Sequence, residues 1–340
     1  MAKNPSAGDQ KTRLLHIIES FDRVSVAVLG DMVADEFVYG EIMRVSREAP
    51  VLILKYRERT TLPGSAANAV INLASLGVNV LPVGVVGDDE PGRLVLKAFR
   101  QKHVPTSGIL KVRGYNTVTK TRILAGTAHS SRQQVVRIDR EPDSLPDAHA
   151  ERAIIQAVRE YARASDALLI SDYGYGTVTP DMLDSIRARG AFHNVPVMLD
   201  SRYRMLDYAG INAATPNQME VESALGIKIG DDSELLLQAG KTLLHKMKLQ
   251  SLLITRGRHG LAAFSRGAAP VEVPVHGSDQ ATDVTGAGDT VIATFTAALA
   301  TGATTESAAR LANYAGGIVV MKSGTATVTQ QELTDAVNAG

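Results

Sequence analysis

Short apolar runs rich in β-branched residues alternate with longer amphipathic stretches along most of the chain. The clearest strand–helix pairs are 24–29 with 65–76, 80–86 with 92–101, and 167–171 with 180–189. Further apolar runs lie at 197–199, 252–255 and 262–264, and helical patterns follow at 286–300 and 305–321. This alternation is typical of βαβ units. It predicts an α/β fold, a three-layer α/β/α sandwich around a mostly parallel central sheet.

Two segments interrupt the alternation. Residues 36–59 and 111–139 have the pattern of strands and turns, without an amphipathic helix inside either. Because a helix–strand–helix stretch separates them, we expect both to leave the main sheet and to form a small β lid over its strand ends. No repeat or low-complexity linker marks a domain boundary. We therefore predict an N-terminal extension and leading helix over 1–20, and one domain over 21–340 that carries the lid.

The charge balance argues against a polyanionic partner. Lys plus Arg and Asp plus Glu are 36 each in 340 residues, so no net field favours nucleic acid or an anionic membrane. The chain has no cysteine, which excludes disulfides, thiolate metal sites and a cysteine nucleophile. The polar N-terminal stretch lacks the apolar core of a signal peptide, and no apolar run is long enough to span a bilayer. We expect a cytoplasmic protein with no nucleic-acid or membrane partner.

The strongest local signal is a turn of small residues in front of an apolar helical stretch. Gly286, Ala287 and Gly288 precede Asp289 within Asp-Val-Thr-Gly-Ala-Gly-Asp-Thr at 283–290. A helix N-terminus carries unpaired N–H groups and partial positive charge, and small residues let an anion approach that backbone. A carboxylate in this turn can accept the proton of an attacking hydroxyl, which makes Asp289 a candidate general base. The alternative is that Asp289 merely caps the helix.

The octapeptide 283–290 resembles the second signature of the ribokinase-like PfkB carbohydrate kinases. The stretch Pro-Gly-Ser-Ala-Ala-Asn at 63–68 resembles their first signature, although Ser65 stands where the family usually has a second glycine. The resemblance runs from about 24 to 329 and implies the ribokinase-like fold, ATP as phosphoryl donor and Mg²⁺. It also implies that Asp289 is the catalytic base and that the amides of its turn form an anion hole.

Further matches to the family concern the nucleotide. The residues that the resemblance assigns to it are Asn217, Gln218, Met219, Glu220, Thr255, Gly257, Asn313 and Lys322. Glu220 belongs to an Asn-x-x-Glu element that organises Mg²⁺ through water, and Asp283 is a candidate ligand for the K⁺ that family members often hold. From the residues alone, 217–220 is equally a helix start, 253–260 a β-turn and Lys322 a solvated helix-end charge.

Polar residues after the first strand are candidates for sugar binding, since open α/β sheets bind ligands at the carboxyl ends of their strands. Asp31 and Asp35 could accept paired hydrogen bonds from sugar hydroxyls, or serve as a turn residue and an N-cap. Gly64 and Ser65 permit close approach of the backbone, and Asn68 offers an amide that both donates and accepts.

Within the family, the chain most resembles the D-glycero-D-manno-heptose-7-phosphate kinases of ADP-heptose synthesis for lipopolysaccharide. The matching stretches are 30–31, 44–51, 120–122, 133–139, 171–173 and 215–217. On this resemblance Asp172 joins the substrate residues. The lid residues Arg122, Arg132 and Arg137 become candidate phosphate ligands, with plain surface charge as the alternative.

Two departures from those kinases lie in or near the lid. Arg47 stands at a position that is commonly proline, and residues 126–129 are extra length. The nucleotidyltransferase domain that is usually fused to these kinases does not follow the kinase stretch. We therefore expect the kinase to be a separate polypeptide or a part of a longer protein. Exposed edges of lid strands also predict a homodimer joined through the lids.

Alternative functions make different demands on the same residues. A kinase of an unphosphorylated sugar or nucleoside would use the same scaffold, although the lid arginines argue against it. A non-catalytic sugar or nucleotide sensor would lack the base or the anion hole, and both are present. A dinucleotide oxidoreductase has no Gly-x-Gly-x-x-Gly after its first strand, and Gly240-Lys241-Thr242 lacks the first glycine of a P-loop because position 235 is Leu.

Overall fold

The apolar runs of the sequence form the strands of two sheets. The computed structural model describes residues 7–126, 133–142, 147–188, 190, 192, 195–277 and 282–340. The strands of this part of the chain are β1 (Ser25–Gly30), β2 (Met32–Val45), β3 (Leu52–Ser65), β4 (Asn79–Gly87), β5 (Ile109–Val112), β6 (Thr119–Gly126), β7 (Gln133–Arg140), β8 (Ala167–Asp172), β9 (Val197–Ser201), β10 (Ala213–Ala214), β11 (Ser251–Thr255), β12 (Leu261–Ser265) and β13 (Val271–Val273).

The larger sheet has the strand order β13-β12-β11-β10-β9-β8-β1-β4-β5. Its pairs from β11–β10 through to β4–β5 are parallel, whereas β11–β12 and β12–β13 at one edge are antiparallel. The strand order reverses at β1: β4 and β5 follow it on one side, and β8 and β9 lie on the other side. The carboxyl end of β1 is therefore where a crevice for ligands is expected.

Helices cover both faces of this sheet. They are α1 (Ala7–Glu19), α2 (Ala66–Ser75), α3 (Glu90–Gln101), α4 (Ala148–Ala162), α5 (Pro180–Ala188), α6 (Gln218–Leu225), α7 (Ser233–Lys246), α8 (Ala287–Ala300), α9 (Thr305–Val319) and α10 (Gln330–Ala339). One apolar core contains residues of α1 to α3 and α8 to α10, and the other contains residues of α4 to α7. The predicted three-layer α/β/α sandwich is confirmed.

The alternation of side chains along a strand explains why the central strands are apolar throughout. In β1, Val26 and Val28 belong to the first core, whereas Ala27 and Leu29 belong to the second. Successive side chains of a strand point to opposite faces, so a sheet covered on both sides buries every one of them. Each large apolar side chain buried in this way stabilises the fold by roughly 1.5–3 kcal/mol.

The second sheet is the lid, with the order β3-β2-β6-β7. The β2–β3 and β6–β7 pairs are antiparallel, and β2–β6 is parallel. The lid is wider than the predicted segment 36–59, because β2 and β3 are paired from Met32 with Ser65 onward. Its second segment starts later than the predicted residue 111, because β5 pairs with β4 and so belongs to the central sheet.

The leading helix was predicted within residues 1–20, and α1 runs from Ala7 to Glu19. Its apolar residues pack in the first core beside those of α10. In the described part of the chain, no helix combines the length and apolar character needed to cross a bilayer.

Candidate active site

The small-residue turn at 283–290 folds into the start of α8. Gly286 is the N-cap, with a φ of +77°, and α8 begins at Ala287. A Cβ on Gly286 would lie 2.5 Å from the side-chain nitrogen of Asn68. Both the left-handed backbone and the close approach of Asn68 therefore require glycine at this position. The turn presents the positive end of the α8 dipole to the crevice.

Asp289 lies in the first turn of α8, and its side chain does not cap that helix. Its two carboxylate oxygens accept hydrogen bonds from other elements instead. Oδ1 accepts one from the Tyr173 hydroxyl at 2.6 Å, and Oδ2 accepts one from Asn68 Nδ2 at 2.9 Å. Burial raises the pKa of Asp289 to about 6, although these two donors and Lys120 lower it. A carboxylate with this pKa is charged at neutral pH and can still accept a proton, as a general base must.

A chain of side-chain hydrogen bonds orients Asn68. Asn72 donates from Nδ2 to the Asn68 carbonyl oxygen at 3.1 Å, and Thr290 donates from Oγ1 to the Asn72 carbonyl oxygen at 3.1 Å. Both asparagines are buried, so their amide orientation is fixed by these bonds. The role of Asn72 was not predicted. The available signal was a second asparagine four residues after Asn68, on the same face of an otherwise apolar helix.

Asp35 of β2 and Gly64 of β3 are in contact at the end of the lid that adjoins the central sheet. Asp35 is 4% exposed, and its Oδ1 accepts a 2.6 Å hydrogen bond from the Arg122 guanidinium. A Cβ on Gly64 would lie 2.4 Å from Asp35 Oδ2, so glycine is needed for this approach. Ser65 has a φ of +51°, a conformation in which a side chain is strained by roughly 1–3 kcal/mol. This backbone explains why glycine is the usual residue at that position in the resembling family.

Asp31 lies at the predicted position, but its carboxylate is already occupied. It accepts hydrogen bonds from the backbone N–H groups of Tyr173, Tyr175 and Thr177, at 2.8, 3.2 and 3.1 Å. Asp31 is 1% exposed. Asp31 therefore shapes the loop after β8, and its direct contact with sugar stays a prediction.

Asp172 is occupied in the same way. Its oxygens accept hydrogen bonds from the Gly174 N–H, the Ser201 hydroxyl, the Arg204 guanidinium and the Tyr208 hydroxyl, at distances from 2.9 to 3.0 Å. Four donors exhaust most of the capacity of a carboxylate. Asp172 therefore anchors the same loop, and its contact with substrate stays a prediction.

Two of the three candidate phosphate arginines are neighbours in the lid. Arg122 of β6 and Arg137 of β7 lie directly opposite each other in the antiparallel register, which puts their side chains on one face. Arg122 is 13% exposed and paired with Asp35, whereas Arg137 is half exposed and paired with Asp139 at 2.9 Å. Arg132 lies outside the described residues.

Two further cations of the site were not predicted as site residues. The Lys120 ammonium lies 5.1 Å from the centre of the Tyr173 ring, and the Arg202 guanidinium lies 5.2 Å from the same ring. Burial lowers the pKa of Lys120, while the charges of Asp35 and Asp289 act against that shift. The signal for Lys120 was its place two residues before Arg122, which puts both on the same face of a strand.

The Asn217–Glu220 element begins α6 as a reciprocal capping box. The Asn217 side chain accepts a hydrogen bond from the Glu220 N–H at 2.9 Å, and Glu220 Oε2 accepts one from the Asn217 N–H at 2.8 Å. The helix-start interpretation is thus correct for the local structure. Gln218 donates to the Gly230 carbonyl at 2.7 Å, and Met219 is 77% exposed, so neither side chain is drawn into the crevice.

The charge of Glu220 acts on a second carboxylate, that of Asp200. Burial raises the pKa of Asp200 well above its ordinary value, and the charge of Glu220 adds to the shift. Burial also raises the pKa of Glu220, and the charge of Arg202 opposes it. Two hard oxygen donors suit Mg²⁺, which keeps several waters and binds few carboxylates. Within the described ranges, no group of three or more His, Asp or Glu side chains could enclose a metal.

An apolar cavity of about 420 Å³ lies beside the α8 turn. Its lining residues come from the β11–β12 turn, α8 and α9, and include Thr255, Gly257, Val284, Gly288, Asn313 and Gly317. Asn313 Nδ2 donates to the Pro274 carbonyl at 2.8 Å, which fixes that side chain at the wall of the cavity. The position, size and apolar lining fit a purine base whose phosphates would reach the α8 N-terminus.

Lys322 and Asp283 form hydrogen bonds with neighbouring parts of the chain. Lys322 Nζ donates to the Thr327 carbonyl at 2.7 Å and to the Glu332 carboxylate at 2.6 Å, away from the cavity lining. Asp283 accepts hydrogen bonds from the Thr285 and Gly324 N–H groups, each at 2.9 Å. Lys322 therefore has a structural contact here, and its nucleotide contact stays a prediction.

Comparison with known proteins agrees with this geometry. Residues 25–332 match the pfkB family carbohydrate kinase domain. The chain is 39% identical over 325 residues to the bifunctional protein HldE of Pelobacter propionicus, covering 94% of this chain and 65% of that protein. It is 39% identical over 311 residues to HldE of Geobacter metallireducens, covering 91% and 62%. The chain thus spans less than two thirds of the length of these curated relatives.

Solved structures show the same fold. Ribokinase of Arabidopsis thaliana, complexed with ribose and ATP, superposes with a TM-score of 0.70 at 20% identity, covering 92% of this chain and 98% of that one. Phosphofructokinase-2 of Escherichia coli, in complex with potassium, superposes with a TM-score of 0.73 at 15% identity, covering 93% and 99%. The fold is ribokinase-like, as predicted. The chain belongs to the pfkB family of carbohydrate kinases, phosphotransferases that act on a sugar hydroxyl.

Proposed function

We propose that this kinase transfers the γ-phosphoryl group of ATP to O1 of D-glycero-D-manno-heptose 7-phosphate and forms heptose 1,7-bisphosphate. The observation that carries the chemistry is the buried Asp289 carboxylate, held by Tyr173 and Asn68 at the N-terminus of α8. The similarity to HldE proteins over 91–95% of this chain supports a heptose substrate.

In the proposed reaction, Asp289 accepts the proton of the O1 hydroxyl while that oxygen attacks the γ-phosphorus. The bond from the γ-phosphorus to the bridging oxygen breaks, and ADP leaves with that oxygen. The N–H groups in the first turn of α8 would face the transferred group and stabilise its developing charge. Asp200 and Glu220 would hold Mg²⁺ through water, and the ion would neutralise the phosphates when bound.

The 7-phosphate is proposed to lie under the lid. Arg122 and Arg137 lie opposite each other on β6 and β7 and could together receive a phosphate. Each arginine would then exchange its present carboxylate partner, Asp35 or Asp139, for the phosphate. Asp35 would be free to accept hydrogen bonds from the sugar hydroxyls.

A second candidate is a kinase of an unphosphorylated sugar. The ion pairs of Arg122 with Asp35 and of Arg137 with Asp139 favour it, since both arginines already have a carboxylate partner. In that case the lid closes over a neutral sugar, and Arg122 serves to orient Asp35. The two candidates share the base, the anion hole and the nucleotide cavity.

A substrate panel separates the two candidates. Purified protein with MgATP is offered ribose, fructose, adenosine and sugar 5-, 6- and 7-phosphates, and ADP release is measured for each. We expect kcat/KM to be highest for heptose 7-phosphate. The double substitution Arg122→Met with Arg137→Met should reduce kcat/KM for heptose 7-phosphate more than for the free sugars. Turnover confined to free sugars would reject the heptose 7-phosphate assignment.

The remaining assignments concern ions, location and assembly. Asp283 ties the α8 turn to residue 324, and the potassium of Escherichia coli phosphofructokinase-2 supports testing K⁺ at this place. We place the reaction in the cytoplasm, where ATP is supplied. We also propose a homodimer through the lids, because every residue of β7 is exposed and β7 forms an edge of its sheet.

A further inference from the structure

Tyr173 links the candidate base to two cations of the site. We propose that Tyr173 is a positioning residue: its hydroxyl aims the Asp289 carboxylate at the acceptor hydroxyl and stabilises the charged form of that carboxylate. The inference deepens the proposed function and rests on it, because Asp289 acts in it as the base.

The contact between the two residues has the geometry of a strong hydrogen bond. The Tyr173 hydroxyl lies 2.6 Å from Asp289 Oδ1, within the range of a charge-assisted O–H···O⁻ bond. Asn68 holds the other oxygen, Oδ2, from a different element. Donors on both oxygens fix the plane of the carboxylate. Each oxygen keeps a second lone pair that can accept the proton of a substrate hydroxyl.

Tyr173 is itself held in place from several sides. Its backbone N–H donates to Asp31 at 2.8 Å, and it directly follows Asp172, which accepts four hydrogen bonds. The Lys120 ammonium and the Arg202 guanidinium lie 5.1 and 5.2 Å from the centre of its ring. Cations at this distance are attracted to the aromatic face. The hydroxyl therefore has little freedom to leave Asp289.

Tyr173 is the donor of this bond over the working pH range. Burial raises the pKa of Tyr173 well above its ordinary value, and the negative charges of Asp289 and Asp200 add to the shift. The phenol is thus neutral when Asp289 is charged. A donor to the charged form of an acid lowers the pKa of that acid, so loss of the hydroxyl must raise the pKa of Asp289.

The other charged groups around Asp289 are unchanged by removal of the hydroxyl. Asp35, from β2, raises the pKa of Asp289, whereas Lys120, from β6, lowers it. Tyr173→Phe keeps the ring beside its two cations and removes only the hydroxyl. The difference between this variant and the wild type therefore isolates the hydrogen bond.

The test is the pH dependence of kcat in wild type, Tyr173→Phe and Tyr175→Phe, with the best sugar of the substrate panel. We expect the acid limb of Tyr173→Phe to move up by about one pH unit, which lowers kcat about tenfold at a pH on that limb. Near pH 8.5, kcat should recover to within a few fold of the wild type. Substrate phosphates also titrate near pH 6, so the comparison uses differences between variants at equal substrate concentrations.

Tyr175→Phe is the matched control. Tyr175 lies on the same loop, two residues further, and its ring also faces Lys120 at 5.6 Å. No hydrogen bond joins it to Asp289 in the described part of the structure. We expect the midpoint of its acid limb to equal that of the wild type. An equal shift in both variants would mean a general effect on the loop and would reject the inference.

A measurement without turnover separates this inference from the proposed function. The ¹³Cγ resonance of Asp289, identified by its loss in Asp289→Asn, reports the titration of the carboxylate directly. We expect its midpoint to rise by about one pH unit in Tyr173→Phe. An unshifted midpoint, or a loss of kcat that is uniform with pH, overturns the role of Tyr173. A shifted midpoint in a protein that phosphorylates no sugar leaves the hydrogen bond established and rejects the proposed function.

Discussion

The environment of Asp289 is built from residues far apart in the chain. Tyr173 and Asn68, which hold its two oxygens, are 116 and 221 positions away. A charge buried this deeply is tolerated because both oxygens are hydrogen-bonded and a lysine lies nearby. The same burial keeps the pKa near neutrality, where proton acceptance is most effective. Strain at Ser65 and the close approach at Gly286 belong to the same small region.

Gly286 and Gly288 provide a contrast within one turn. Gly286→Ala would force a side chain into the left-handed region, which costs about 1–2 kcal/mol, and would displace Asn68. At Gly288 a Cβ meets no atom within 4 Å, and alanine favours a helix by up to about 1 kcal/mol. We expect urea unfolding to show a lower free energy of unfolding for Gly286→Ala. Gly288→Ala should equal or exceed the wild type, and equal losses in both would contradict this account of the turn.

The sequence predicted the candidate base but not its partners. The order of small residues around 283–290 is local information, and it predicted both the turn and the carboxylate within it. The hydrogen bonds of Asp289 with Tyr173 and Asn68, and those that Asp31 and Asp172 accept, depend on how distant strands meet. Such contacts leave no periodic pattern in a single sequence.

At the scale of elements, the lid is joined to the central domain by its strands. The strand β2 starts directly after β1, and β3 ends at Ser65, where α2 begins. The candidate sugar residues Asp35 and Gly64 lie near the point where the lid strands leave the central domain, so the proposed sugar contacts depend on the position of the lid. The ion pair of Arg122 with Asp35 joins β6 to β2 at this point.

Two arginine substitutions test the lid. Arg122→Met leaves the buried Asp35 carboxylate without its partner, and breaking a buried pair in this way costs about 3–5 kcal/mol. Arg137→Met breaks a more exposed pair and should cost at most about 1 kcal/mol. Thermal unfolding of the two variants measures the difference. Similar small losses in both would show that the pair at Asp35 does not hold the lid strands.

Element types were easier to predict than element boundaries. Alternation of apolar residues predicted the strands and helices of the central domain, and the Asn217–Glu220 spacing contained the capping box that begins α6. The lid boundaries were misplaced, since Ile109–Val112 joins the central sheet and β2 begins at Met32. Which sheet a short strand joins is decided by its neighbour and not by its own residues.

At the scale of the whole molecule, the central domain buries its apolar side chains in two cores, whereas the lid leaves several large apolar side chains exposed. All eight residues of β7 are exposed, and Ile138 on this strand is 55% exposed. On β3, Tyr56 is 63% exposed. An exposed apolar sheet with a free edge is a site for association, and a second copy offers the same surface in return.

The proposed lid dimer makes a prediction about mass in solution. Sedimentation of the wild type at micromolar concentration should give the mass of a dimer. Ile138→Glu places a charge in the proposed interface and should shift the protein to monomer. Gln238→Glu adds the same charge on the exposed side of α7, far from the lid, and should remain dimeric. A monomeric wild type, or equal behaviour of the two variants, would count against the interface.

The most direct test of the central claim compares wild type with Asp289→Asn. ADP release is measured with MgATP and the preferred sugar, and the Kd for ATP is measured on the same samples. We expect kcat to fall by about 10²- to 10⁴-fold, because asparagine cannot accept the proton of the attacking hydroxyl, while the Kd changes little. A variant that binds ATP normally and keeps wild-type turnover would show that Asp289 is not the catalytic base.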